Sequence, residues 1–138
     1  MMKLLIDTNI VIDLLAKREP YYIDSAQLFS LADRKQLTLS VASLSFAFTN
    51  YMLAKLKTPD EAKAILRKFK LLVDVLPLDD KILSLALNDK DFTDFEDGLQ
   101  YFTAIENDQE MIITRNLKDF KKSKIPVMTA GQFLTTLK

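Results

Sequence analysis

The spacing of apolar residues changes period several times along the chain. Met2 to Ile6 is apolar almost without interruption, which predicts a strand buried on both faces. Ile10, Val11, Leu14 and Leu15 then recur at helical spacing, and after Pro20 so do Tyr22, Ala26, Phe29 and Ala32. Leu37 to Val41 ("LTLSV") reads as a short strand, and residues 44–56 as an apolar helix. "TPDE" at 58–61 has the form of a capping box with Pro at the first helical position, and Ala62, Ile65, Leu66 and Phe69 form the buried stripe of the helix it starts. Residues 73–76 predict a strand. Asp79 and Asp80 then open a helix whose Ile82, Leu85 and Ala86 face inward. A further helix spans 94–107. "MIIT" at 111–114 is a buried strand, Val127 and Met128 form another, and Thr129 with Gln132 starts the last helix through a second capping box.

Strands alternating with helices predict right-handed crossovers and an α/β fold whose mainly parallel sheet is covered on both faces. Two Gly and four Pro leave no linker, so one domain over 1–138 is expected. Ligands of such sheets bind beyond the carboxyl ends of the strands. Asp7 stands at one of these ends.

Composition narrows the chemistry. Of the 138 residues, 49% are apolar and 28% charged, the balance of a globular protein. Lys+Arg and Asp+Glu are both 19, which argues against broad electrostatic coating of nucleic acid and leaves room for a local basic patch. There is no cysteine, hence no disulfide framework and no thiolate zinc site. There is no histidine, which excludes a Ser-His triad and an imidazole base. Acid–base or metal chemistry must therefore run on carboxylates, Lys, Tyr, amides or hydroxyls. Lys3 is followed by only three apolar residues before Asp7, too few for a signal peptide, and no stretch approaches a membrane span. A cytoplasmic location is expected.

Three places put acids or amides at strand ends and helix starts: Asp7 with Asn9, then Asp94, Glu96 and Asp97, then Asn116 with Asp119. In a parallel sheet the ends of the first strand and of "MIIT" share one edge, and the helix leading into "MIIT" begins at that edge. The three groups are expected to converge there. Such a cluster suits Mg²⁺ or Mn²⁺, which take oxygen ligands and assist phosphodiester hydrolysis by lowering the pKa of bound water and shielding phosphate charge. Each residue also has a plainer reading. Asp7 and Asp94 can be N-caps, and Asn116 and Asp119 can be turn residues. Asp97 begins an inward row with Tyr101 and Ile105. Glu96 and Asp13 are expected on solvated faces, and Tyr101 and Phe120 in the core. Arg115, Lys118, Lys121, Lys122 and Lys124 form either a solvated loop or a set of phosphate contacts.

"LLIDTNIVID", "DFTDFEDGLQYFTAIE" and "MIITRNLKDFKKSKIPVMTAGQF", in this order and spacing, resemble the PIN domain family, above all the VapC-like toxins of bacterial toxin–antitoxin pairs. The resemblance covers essentially the whole chain. It implies a Rossmann-like three-layer α/β/α sandwich with about five strands. It also implies Mg²⁺- or Mn²⁺-dependent endoribonuclease activity on an RNA substrate, a homodimer, and a cognate antitoxin that blocks the site. Residue by residue, Asp7 matches the first acidic ligand and Asp97 the acid of the later helix. Asn116 matches the polar position after the "TR" strand end, and Asp119 the nearby carboxylate. Asn9 holds a supporting role, and Asp94 that of an auxiliary acid. Asp7, Asp97 and Asp119 are then the catalytic acids, with Asn116 as a fourth metal ligand. Arg115, Lys118, Lys121 and Lys122 are RNA contacts. One departure stands out. The family usually carries a Glu on the helix after the second strand, three residues beyond a Ser or Thr. Here that count gives Phe48 from Ser45 and Phe46 from Ser43, and residues 35–59 contain no acid. The alternative reading is therefore a degenerate, non-cleaving PIN domain that binds RNA or a protein.

Overall fold

The structure, a computed structural model, describes residues 1–138. Its centre is one sheet of β1 (Lys3–Ile6), β2 (Thr38–Ala42), β3 (Asp74–Leu76), β4 (Met111–Ile113) and β5 (Val127–Met128). Every pairing is parallel and the spatial order is β3-β2-β1-β4-β5. Around it run α1 (Thr8–Leu15), α2 (Tyr22–Asp33), α3 (Ser43–Leu56), α4 (Pro59–Phe69), α5 (Asp80–Asn88), α6 (Phe95–Glu106) and α7 (Ala130–Thr136). The predicted elements are all present, with ends shifted by a residue or two. Two 3-10 turns, Lys70–Leu72 and Leu117–Phe120, carry no periodic signal and were not foreseen.

The two faces of the sheet bury different partners. Leu4 and Ile6 of β1, Leu39 and Val41 of β2 and Ile113 of β4 point into a core shared with α1, α2 and α7. Leu5 and Ile112, offset by one residue and so on the opposite face, pack with Tyr101 and Ala104 of α6 and with Phe120. This two-sided burial explains the unbroken apolar runs "LLI" and "MII". Tyr101 and Phe120 are core residues, as expected.

Caps mark the helix starts. Thr129 Oγ1 accepts from the Gln132 N–H at 3.1 Å, and the Thr129 N–H donates to the Gln132 side chain at 3.0 Å, closing the second capping box. At the first, Thr58 Oγ1 accepts from the Glu61 N–H at 3.2 Å, but the return bond from Glu61 is not made. Asp79 and Asp94 cap α5 and α6 through the N–H groups of Ile82 and Asp97.

The strand order reverses between β1 and β4. From β1 the chain moves outward through β2 to β3, then crosses back and continues on the other side of β1. The crevice at the carboxyl ends of this central pair is where an open parallel sheet takes ligands. The register places Ile6 beside Ile113, so the next residues, Asp7 and Thr114, leave the sheet side by side.

Candidate metal centre

Asp7 is buried and uses both carboxylate oxygens. Oδ1 accepts from the Thr8 N–H at 2.8 Å at the start of α1, and Oδ2 accepts from Thr114 Oγ1 at 2.7 Å. Asn9 Nδ2 approaches the same Oδ2 at 3.4 Å, and Asn9 Oδ1 accepts from the Arg115 N–H at 3.4 Å. The cap and the site are therefore one carboxylate. Thr114, fully buried, also accepts from the Asn116 N–H at 3.1 Å and so ties the β4 exit to Asp7.

Two clefts open at this edge; Asp97 lines both and Asp7 the larger. The larger, about 380 Å³, holds Asp7, Asn9, Asp97 and Asn116 together with Arg18 and Phe48. The smaller, about 250 Å³, has no apolar lining; it holds Asp94, Asp97 and Asp119 with Lys118, Lys121 and Lys122. All three acidic groups thus meet at the predicted edge, around Asp97. They do not meet tightly: no three carboxylates stand close enough to form a ready ligand set.

The acids have no cationic partners. None of the three salt bridges in the molecule involves Asp7, Asp94, Asp97 or Asp119. Burial pushes the Asp7 carboxyl up, against the hydrogen bonds from Thr114 and Thr8, and the charges of Asp119 and Asp94 add to the rise. Asp97 is pushed up to about 7, by burial first and then by Asp94, Asp7, Asp119 and Glu96. Glu96 is exposed, as expected, but it lines the larger cleft, and burial with the charges of Asp94 and Asp7 raises it too. An all-oxygen donor set with uncompensated negative charge fits a hard divalent cation. Mg²⁺ needs only one or two carboxylates, with waters and substrate phosphates completing its shell, so a loosely converging set suffices.

One expectation is corrected, and one of the two readings open for Arg115 is removed. Asp13 is not on the solvent side of α1: it is fully buried, because Arg18 and Arg115 both reach it, at 2.9 and 2.8 Å. Arg115 is consequently no member of a solvated basic loop. Its guanidinium is held by Asp13 and lies 3.9 Å from the centroid of the Tyr21 ring. Lys118, Lys121 and Lys122 remain beside the acids. Lys124 instead donates its backbone N–H to the Tyr101 hydroxyl at 3.2 Å.

Sequence reading also missed a neutral network. Ser45 of α3 is buried and shares a 2.7 Å hydrogen bond with Thr8, and Gln100 Nε2 donates to Thr8 Oγ1 and Ser45 Oγ at 3.2 and 2.9 Å. Gln100 lies three residues beyond Asp97, hence on its helical face, which was the one signal available. The two Phe positions separate: Phe46 packs towards Phe69 in the core, and Phe48 lines the cleft.

A family profile described as the PIN domain matches residues 3–118. The chain belongs to the PIN domain family. Among characterised relatives of this PIN domain, Ribonuclease VapC1 of Aquifex aeolicus is 26% identical over 137 residues, covering 95% of this chain and 92% of that one. Among solved structures, VapBC2 from Rickettsia felis bound to a promoter DNA fragment matches with a TM-score of 0.69 and 21% identity, covering 92% of this chain and 97% of the other. A toxin–antitoxin complex from Klebsiella pneumoniae matches at 0.68 and 22%, covering 91% and 96%. These likenesses bear out the three-layer parallel α/β fold. No helix is long and apolar enough to cross a membrane.

Proposed function

We propose that this PIN domain is a divalent-metal-dependent endoribonuclease and the toxin half of a toxin–antitoxin pair. The observation that carries the reading is the set of carboxylates around Asp97, at the switch point of the sheet and without a cationic side chain paired to any of them. The likeness to a VapC ribonuclease along almost the whole chain supports the same reading. Asp7, Asp97 and Asp119 would hold Mg²⁺ or Mn²⁺ with Asn116. A cation there would supply Lewis-acid charge at the scissile phosphodiester and acidify water. Thr114 and Asn9 orient the Asp7 carboxylate, and Asp94 fixes the start of α6 and so the place of Asp97. Lys118, Lys121 and Lys122 contact RNA phosphates from the polar recess. A protein antitoxin covering the cleft, a homodimer and a cytoplasmic location complete the reading.

The purified protein should cleave structured RNA in Mn²⁺, and Asp7→Asn should abolish cleavage. Cleavage that survives both EDTA and Asp7→Asn would sink the reading. Phe48 on the cleft wall favours the second reading, a non-cleaving module. Saturable Mn²⁺ binding at micromolar metal, lost in Asp7→Asn, counts against it.

A further inference from the structure

Asp13, on the last turn of α1, has no exposed surface, yet two guanidinium groups reach it from different parts of the chain. Arg18, from the segment after α1, donates through Nε to Asp13 Oδ1 at 2.9 Å, and its Nη2 also donates to the Asn9 carbonyl at 3.3 Å. Arg115, leaving β4, sets Nε 2.8 Å from Oδ2 and donates through Nη2 to Oδ1 at 3.2 Å. Tyr21 packs on the Arg115 guanidinium. The group carries one negative and two positive charges. Stability alone is a weak reason for it, because a buried ion triad is often no more stabilising than apolar residues of the same volume.

Its placement supplies a reason. Both arginines line the same cleft as Asp7 and Asp97, and no hydrogen bond or ion pair engages Nη1 of either one. A guanidinium held along one edge by a carboxylate presents its other edge in a fixed direction, which suits a planar, two-oxygen acceptor such as a phosphodiester. The lysines stand beyond Asp97, in the other recess. Cationic groups therefore flank the acids on two sides, as a polyanion crossing them requires.

We propose that Arg18 and Arg115, oriented by Asp13, form a phosphodiester-binding subsite on the rim of the acidic cleft, with Asp13 as a positioning residue. The choice of RNA as the ligand rests on the ribonuclease reading. The test measures binding of a fluorescein-labelled single-stranded RNA of mixed sequence, in Ca²⁺, across a salt series. Arg18→Gln should weaken binding about tenfold, and each lost phosphate contact should flatten the slope of log K against log salt by about 0.7. Arg18→Lys should restore the slope and only part of the affinity. Asp13→Asn should weaken binding with the slope kept, since both positive charges remain and only their orientation is lost. If Asp13→Asn does not fold, the Arg18 pair decides, because that side chain is partly exposed. Unchanged affinity and slope in Arg18→Gln would overturn the subsite, as would a wild-type protein that binds no RNA. RNA binding with the expected Arg18 losses but no cleavage in Mn²⁺ would remove the ribonuclease reading and leave the subsite standing. Cleavage with an indifferent Arg18 would do the reverse.

Discussion

Asp7 and Asp13 lie six residues apart, one capping α1 and the other on its last turn, and both are buried. Asp13 meets two arginines. Asp7 meets a threonine hydroxyl, a backbone N–H, an amide and the charges of other acids. The first carboxylate has its counter-charge within the protein, and removing it would strand two cations. The second is desolvated without one, and burial raises its pKa. The contrast separates a carboxylate that holds structure from one left without a counter-charge, and burial alone does not distinguish them.

The largest effect expected is on cleavage. Asp7→Asn keeps the shape and, with its amide oxygen towards Thr114, one acceptor, but it turns an NH2 group towards the Thr8 N–H and removes the charge that the proposed cation would need. A bound metal contributes several kcal/mol of charge stabilisation in such reactions. RNA cleavage should fall by about 10³-fold or more, measured as initial rate in Mn²⁺. The same substitution should leave the Tm of the metal-free protein at neutral pH little changed, because relief of the desolvation that Asp7 suffers offsets the lost acceptor for the Thr8 N–H.

Asp13→Asn should be costly instead. It leaves Arg18 and Arg115 without their anion, which typically costs about 3 kcal/mol or more. For a chain of this size that is a Tm fall of about 10 °C, read by thermal denaturation. A rise for Asp13→Asn, or a fall of similar size for Asp7→Asn, would dissolve the contrast between the two positions.

The sequence made the two carboxylates unequally legible. Asp7 follows an apolar run and precedes a helix, so its place at a strand end could be read directly, and Asp97 and Asp119 followed from strand parallelism. Asp13 sits where helical periodicity predicts a solvent face. Its burial depends on Arg18, from the segment beyond the helix, and on Arg115, about 100 residues away, and no local pattern reports either. Thr114 reads in the sequence only as the end of a strand, and it takes its role from the register that sets it beside Asp7. Periodicity reports which face of an element is apolar. It does not report which polar residue a distant strand will bring alongside.

A pH series sharpens the Asp7 side. Asp97 is pushed up to about 7 from an ordinary value of 3.8. A group whose folded pKa is raised gives stability that is complete below the unfolded value and is lost as pH rises through the folded one. The Tm of the metal-free protein should therefore fall between about pH 4 and pH 8, and Asp97→Asn should flatten that fall. With Mn²⁺ present the order reverses: the cation takes only the ionised carboxylate, so its affinity should weaken by up to about tenfold per unit below pH 7. A wild-type Tm profile parallel to that of Asp97→Asn would show that neither burial nor repulsion from Asp94 and Asp7 raises the Asp97 pKa.

The smallest effect tests whether the acidic side can take one more charge. Phe48 lines the cleft with Asp7 and Asp97, one turn after Ser45. Phe46, two residues earlier, packs within 5.8 Å of the Phe69 ring centroid. A carboxylate at 48 joins groups that already lack a counter-charge; one at 46 replaces a half-buried ring packed against the apolar core. Phe48→Glu should lower the Tm of the metal-free protein slightly, through added repulsion. It should tighten Mn²⁺ binding by about tenfold, since ligand charge count tunes the affinity of oxygen sites and tenfold is about 1.4 kcal/mol. Phe46→Glu should lower the Tm steeply, and Mn²⁺ should not recover it, because a charge among apolar residues costs more than its distance from the cleft lets a cation return. Isothermal titration of Mn²⁺ and paired melts with and without the ion distinguish these outcomes. If Phe48→Glu binds Mn²⁺ no better than wild type, the acids around Asp97 do not act on a common ion, and Asp7 would then be a buried cap whose raised pKa serves no ligand.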